Sequence, residues 1–203
     1  VIAGLYVPPI EIIGPIRGKE GYADVGGSLR VLSPNAPASV TVTVVRPSLG
    51  NITTRLELQG GQVGDLSLDE LGAGDYSLVL ESEQPIVAGV RNSVGNDERT
   101  DTAWAASSYP LECETLFVVP GAADARLTLM NLGTNPVTFA LNGSSSSLAA
   151  GAMITRLVSP GSYTLVAENP LFAAVSLRGE TVMGHFQVLP TPPSQEPIRV
   201  SIR

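Results

Sequence analysis

Apolar and polar residues alternate with a period of two along most of this chain, and no other feature constrains its fold as strongly. Val40-Thr41-Val42-Thr43-Val44 alternates cleanly, Leu29–Leu32, Arg55–Leu58 and Asp65–Leu68 alternate too, and Gly74–Leu80 opens with a turn residue and runs as a strand. Successive side chains of a strand point to opposite faces, so each run buries one face and leaves the other in water. Pro85-Ile86-Val87-Ala88-Gly89-Val90 reads as an apolar strand behind a proline, and Thr100–Ser107 as a further strand. Asn35-Ala36-Pro37-Ala38 and Gly60-Gly61 punctuate them as turns. Turn signals return every ~8–12 residues, the spacing of sandwiches and barrels. Helical periodicity is not sustained over ~11 residues anywhere. Leu66–Leu71 and Leu148–Ile154 could each form one helical turn.

The strands recur. Leu71-Gly-Ala-Gly-Asp-Tyr-Ser-Leu-Val79 matches Val158-Ser-Pro-Gly-Ser-Tyr-Thr-Leu-Val166, so Gly74, Tyr76 and Leu78 align with Gly161, Tyr163 and Leu165. Leu29 and Val31 align with Leu127 and Leu129; Val40, Val42 and Val44 with Val137, Phe139 and Leu141; and Val87 with Phe172. Anchors in one order with small drift point to an internal duplication. The offset shrinks from 98 (127 − 29) to 85 (172 − 87), which places about ten extra residues of the first copy in a hairpin extension between Arg46 and Gly61. Val1–Leu5 resembles Ile86–Val90, and Ile198–Ile202 sits where Leu116–Val119 sits in the earlier unit. On that reading the chain begins inside a third, truncated copy and is a slice of a longer array.

Six or seven short strands per copy can bury alternate side chains between two facing sheets. The expected fold is all-β: two tandem antiparallel immunoglobulin-like β-sandwich domains. The domains are 1–110, whose first residues read as the end of a preceding repeat, and 111–203, which ends in a Pro-rich segment. Leu189-Pro-Thr-Pro-Pro-Ser194 reads as a stiff, extended linker.

The ordered motifs resemble a family. Leu29-x-Val31, a Pro/Asn turn, Val40-x-Val-x-Val44, Gly74-x-Tyr-Ser-Leu-Val79, Pro85-Ile-Val-Ala-Gly89 and Thr102-Ala-Trp-Ala105 with Tyr109-Pro-Leu111 after it are similar to exported, membrane-anchored actinobacterial proteins of unknown function that carry repeated β-sandwich modules. The resemblance covers most of residues 25–190 and implies placement outside the cytoplasmic membrane. It carries over no catalytic residue.

Composition narrows the chemistry. One His and one Cys cannot build a Cys/His zinc site or an intrachain disulfide. A net charge of −7 disfavours a nucleic-acid surface. Apolar runs are far shorter than the ~20 residues a spanning helix needs, so this fragment does not cross a membrane as a helix. His185 lies in an alternating strand, and Ser176 lacks the Gly-x-Ser-x-Gly elbow of a nucleophile, so His185 reads as structural. Cys113 is flanked by Glu112 and Glu114, which disfavour a thiolate nucleophile. Asn92, Asn96, Asp97, Glu98 and Asp101 could offer oxygen ligands to calcium, but without EF-hand order and with Arg99 among them they read as a solvated loop. Asp65, Asp69, Glu70 and Asp75 read as a solubility device. Trp104, between two alanines, is compatible with either face and reads as core, with an exposed or inter-module position as the alternative, and Tyr76 and Tyr163 read as packing residues akin to a tyrosine corner. Ser144–Ser147 reads as an exposed turn, and Asn51-Ile-Thr53 and Asn142-Gly-Ser144 as chance glycosylation patterns.

No catalytic, cofactor-binding or metal residue is therefore assigned. The expected function is a non-catalytic extracytoplasmic module of a cell-envelope protein, a scaffold, spacer or protein-binding surface, with envelope proteins or cell-wall glycan as partners. A glycan-binding module is the alternative, to be tested by the exposure of Trp104, Tyr22 and Tyr109. A carboxylate-based hydrolase is a third, weaker reading.

Overall fold

The computed structural model describes residues 1–7, 27–47, 49–95, 100–121, 124–179 and 181–190. These residues form sixteen strands and one short 3-10 turn, Asp69–Leu71, with no α-helix among them. The first eight strands are β1 (Ile2–Val7), β2 (Gly27–Leu32), β3 (Ala38–Val45), β4 (Ile52–Leu58), β5 (Val63–Ser67), β6 (Gly74–Ser82), β7 (Val87–Gly95) and β8 (Thr100–Ala106). The second eight are β9 (Thr115–Val119), β10 (Asp124–Met130), β11 (Val137–Leu141), β12 (Ser144–Leu148), β13 (Met153–Val158), β14 (Gly161–Ala167), β15 (Phe172–Arg178) and β16 (Met183–Gln187).

All pairings are antiparallel, in four four-stranded sheets. Sheet I has the order β1-β6-β3-β4 and sheet II the order β5-β2-β7-β8. Sheet III, β9-β14-β11-β12, and sheet IV, β13-β10-β15-β16, repeat those orders strand for strand. The registers repeat as well. Val44 faces Leu78 as Leu141 faces Leu165; Leu29 faces Val90 as Leu127 faces Val175; Leu32 faces Val87 as Met130 faces Phe172. The aligned pairs of the sequence thus occupy equivalent ladder positions. A one-residue slip in either unit would turn its whole apolar set outward.

Each pair of sheets shares one core. Ile2, Leu5 and Val7 of β1, Val40, Val42 and Val44 of β3 and Leu78 of β6 meet Leu29, Val31, Val90 and Ala105 of sheet II. Phe117, Phe139 and Leu165 meet Leu127, Leu129, Ala173 and Val175 in the second unit. The changeover falls in a few residues: Ser108 N donates to the Val1 carbonyl in the first unit, while Leu111 bridges to Leu171 and joins the second core.

Four expectations need correction. Val1–Leu5 does not take the place of Ile86–Val90: β1 lies beside β6 as β9 lies beside β14, and is therefore the first strand of its own unit. Ile198–Ile202, the other end of that argument, lies outside the described residues. Ser144–Ser147 is strand, not turn; the turn is Asn142-Gly143, with φ of 48° and 79°, a two-residue hairpin link whose Asn-Gly sequence suits positive φ at both positions. Leu148–Ile154 forms no helical turn of its own and leads directly into β13, whereas the expected turn within Leu66–Leu71 is the 3-10 segment. Trp104 is not core; it is 52% exposed on the edge strand β8.

The hairpin extension is real but shorter than expected. Val42 pairs with Thr54 and Phe139 with Ser146, so the offset falls from 97 (139 − 42) to 92 (146 − 54) across it, and the remaining drift is spread over later turns. Its base packs: Leu58 is buried, Leu56 is partly buried, and Gly64 opposite them has no side chain that would collide with Leu58. Leu49 and Ile52 at its tip are exposed.

Candidate functional site

The most developed polar and apolar arrangement in the molecule lies where the two units meet. One side is the edge of sheet I, where β1 carries Gly4 and Tyr6 and β6 carries Asp75, Ser77 and Val79. The other is the outer face of sheet IV. Alternation turns Leu127, Leu129 and Val175 into the second core, so Arg126, Thr128, Met130, Ala174, Ser176 and Arg178 must point the other way. Those residues would normally meet water. Here Thr128, Met130, Ala174 and Ser176 are buried instead.

Apolar packing joins the units through Val45, Met130 and Met153, with Val1, Val79 and Phe172 against them. Gly4 has φ +64°, a conformation that L side chains rarely adopt, and it marks the irregularity between Ile2 and Leu5 in the β1–β6 ladder. A Cβ there would lie 3.1 Å from both Ala174 Cβ and Thr128 Cβ, so only glycine lets the backbone of β1 approach sheet IV this closely. The freed Gly4 N–H donates to Ser77 Oγ at 3.2 Å, and Ser77 Oγ in turn lies 2.9 Å from Met153 Sδ.

Charge is paired across the same boundary. Arg178 donates to Asp75, Arg126 Nη1 lies 3.5 Å from the other Asp75 oxygen, and the Arg178 guanidinium sits 3.4 Å from the centre of the Tyr6 ring. The Arg178 and Asp75 side chains are only 15% and 14% exposed. His185 Nε2 donates to the Ala3 carbonyl at 2.9 Å, and burial holds its imidazole below the ordinary histidine range. Asp101 accepts from the Met183 N–H, and Asn92 donates from its amide to the Tyr6 carbonyl. A cavity of about 10 Å³ beside Asn92, Ser176 and His185 has room for one water at most.

The acidic residues singled out in the sequence are therefore spread over structural tasks. Asp65 holds Arg30 through two hydrogen bonds, which depress its carboxyl below the usual range. Asp69 accepts from the Gly27 N–H, Asp75 serves the junction, and Asp101 ties β8 to β16. Asn96, Asp97, Glu98 and Arg99 lie outside the described residues, as does Tyr22. Among the described residues no three His, Cys, Asp or Glu side chains come together as a metal site would require. Cys113 is exposed. Tyr76 Oη donates to the Leu71 carbonyl at 2.5 Å, and Tyr163 Oη donates to the Ser159 carbonyl at 2.8 Å. Both bonds tie a strand back to the turn before it, as the repeated sequence suggested.

Two outer surfaces remain. A groove of about 480 Å³ on the outside of sheet I is lined by Ser39, Thr41, Arg55, Glu81, Glu83 and Gln84. Arg55 in its wall pairs with Glu57 at 2.9 Å, a contact about two-thirds exposed and worth little on its own. The outside of sheet II carries Trp104 together with Val63 and Val87, each more than half exposed. Tyr109, just beyond β8, is also exposed. The residues of the junction had no local signal in the sequence: Asp75 and Arg178 are 103 positions apart, and a lone charged residue in an alternating strand reads as solvent-facing.

Fold and site define a doubled, all-β protein whose two units are joined by a buried contact. Residues 4–161 match the model of a family of unknown function, DUF5719, and the chain belongs to that family. The match runs through the changeover at 108–111 and into the second unit, ending at Gly161, where β14 begins. No curated protein and no solved structure matches the chain. No helix among the described residues is long and apolar enough to cross a membrane.

Proposed function

We propose that the chain is a non-catalytic, extracytoplasmic module of a cell-envelope protein, a stiff two-domain spacer that offers protein-binding surface. The observation that carries this reading is the buried junction. A flexible tether would leave two small domains to move independently, the default when an interface is small and polar. A contact with a glycine-dependent close approach, a buried ion pair and its own apolar cluster instead supports a fixed angle between them. We read each unit as an immunoglobulin-like sandwich in architecture: two facing antiparallel sheets and a tyrosine bonded to the preceding turn support the likeness. The strand order 1-6-3-4 over 5-2-7-8 differs from the ABED over CFG order of immunoglobulin domains. Placement outside the cytoplasm rests on the family resemblance alone, and fractionation of cells expressing the full-length parent tests it.

Residual dipolar couplings and small-angle scattering test the spacer. A single alignment tensor for both units supports it; separate tensors and a broad distance distribution reject it. Exposed Trp104 favours one second reading, a glycan-binding module, since an open aromatic face can stack on a sugar ring. Titration with cell-wall polysaccharide, followed by Trp104 emission, decides that reading: a saturable change supports it and a flat response removes it.

A further inference from the structure

The junction joins two unlike surfaces, an edge and a face. Because the units share strand order and register, each unit owns a counterpart of both. The observed contact uses the edge of the first unit and the face of the second. It leaves over the face of the first unit and the edge of the second.

The register identifies the counterparts. Met130 pairs with Met153 and Phe172, and Leu32 pairs in the same way with Val63 and Val87. Ser176 pairs with His185, and Arg91 with Trp104, so Trp104 stands where His185 stands. Met130 and Met153 are buried in the junction, whereas Val63, Val87 and Trp104 are 54%, 61% and 52% exposed. On the edge, Tyr6 faces Asp75 and Val118 faces Ser162, so Val118 is the counterpart of Tyr6, and Val166 that of Val79. Val118 is 64% exposed and Val166 39%. Single exposed aliphatics are ordinary on a protein surface. Four exposed valines and Trp104 at the positions of Met153, Phe172, Tyr6, Val79 and His185, which are buried or partly buried at the junction, are a pattern, and sheet faces in water would otherwise carry polar residues there.

We propose that a second copy of this chain docks head to tail: the β9–β14 edge of one molecule seats on the outer face of sheet II of the next, repeating the internal junction. Such a contact is heterologous and does not close on itself, so it builds a linear array. Where Gly4 meets Ala174 and Thr128 inside the chain, Leu116 would meet Gly89 and Arg30 between chains, and the apolar stem of an arginine can lie under an aliphatic side chain. The charge pair is not repeated, since Ser93 and Ser162 stand at the positions of Arg178 and Asp75. The contact between chains therefore lacks the buried ion pair and is weaker than the internal one, which also gains from the high effective concentration of linked partners. The proposal names the partner of the spacer reading and rests on it. Its test reads association between chains, whereas the spacer test reads rigidity within one chain, so the two can fail separately.

Sedimentation velocity from ~10 µM to ~1 mM, the range in which a weak contact without linkage would appear, is the experiment, with the emission of the single tryptophan, Trp104, as a second signal from the face. The expected result is a sedimentation coefficient that keeps rising with concentration and a blue shift of the emission. Val87→Asp destroys the face and Val118→Asp the edge, so each variant alone stays monomeric. Mixed, they form a one-to-one dimer that grows no further, because one intact edge and one intact face remain. Val166→Asp repeats the edge test if Val118→Asp fails to fold by circular dichroism. Wild-type protein that is monomeric up to ~1 mM overturns the proposal. A variant that associates as the wild type does, or a mixture that stays monomeric, overturns it equally.

Discussion

Removing the carboxylate at the centre of the junction should cost far more than removing Arg126. Asp75 is 14% exposed and is approached by Arg178, 15% exposed, and by Arg126, 32% exposed. Asp75→Asn leaves two guanidinium groups facing each other with no counter-charge, one of them almost out of water. Breaking a buried pair from one side typically costs ~3–5 kcal/mol, because the surviving charge stays desolvated. Arg126 can turn toward solvent, so the lower end, about 3 kcal/mol, is expected for Asp75→Asn. In Arg126→Gln the Asp75–Arg178 pair survives, and the loss should stay below ~1 kcal/mol, as for a partly exposed ion pair. Urea titration with intrinsic fluorescence and with NMR signals assigned to each unit measures the difference. The loss in Asp75→Asn should appear first as uncoupling, the two units unfolding at separate midpoints where the wild type unfolds together. If Asp75→Asn and Arg126→Gln differ by less than ~1 kcal/mol and both retain a joint transition, the ion pair does not hold the junction and the reasoning is wrong.

Gly4→Ala combines a left-handed backbone, worth ~1–2 kcal/mol for a residue with a Cβ, with contacts 3.1 Å from Ala174 and Thr128, and should lower the urea midpoint and loosen the junction while leaving the far-UV spectrum intact. Leu58→Ala should cost ~2–5 kcal/mol because Leu58 is buried against Gly64, whereas Leu49→Ala at the exposed tip should stay within ~0.5 kcal/mol; equal losses would refute the division of the hairpin into packed base and free tip. The folded-state pKa of His185 is lowered by burial, so the unfolded chain binds the extra proton and stability is complete above about pH 6.5 and declines as pH falls below it. Urea midpoints between pH 7.5 and 5 should show that decline in the wild type and a flatter profile in His185→Asn.

The strands and the equivalence of the two units were legible because period-two alternation and turn residues are local signals, and because a duplicated chain repeats its anchors in the same order. Leu29 with Leu127 and Leu78 with Leu165 could be aligned from sequence alone, and the ladders hold them at equivalent positions. Misreadings arose where two local signals competed. Asn142-Gly143 falls in a chance glycosylation pattern, but Asn-Gly between alternating runs is also the stronger indication of a hairpin turn; a run of serines has the composition of a turn, whereas strand pairing with β11 decides their conformation. The alternation of Trp104 with Ala103 and Ala105 is compatible with either face, and the core reading fails because the alternation that buries Ala105 must expose Trp104. The face of a strand is legible only once one of its residues is known to point inward.

The junction was illegible for a different reason, and the two sheets II and IV explain it. They descend from the same pattern, with identical order and register, and their outer positions are a mixture of small, polar and apolar residues in both. Within one unit every such position should meet water. Whether it does depends on the neighbour: Ala174 and Thr128 are fully buried because β1 of the other unit lies on them, whereas Gly89 and Arg30 at the same positions are not fully covered. The two faces differ at several of these positions, with Thr128 for Arg30, Ser176 for Arg91 and His185 for Trp104, so the covered face carries short side chains where the open one carries arginines, but that contrast has a meaning only once the two units are known to touch. What separates them is an edge strand that exists twice while only one copy of it finds a face within the chain. A duplicated module that packs asymmetrically must leave one face and one edge over, and the aliphatic residues retained on both are the physical trace of that asymmetry.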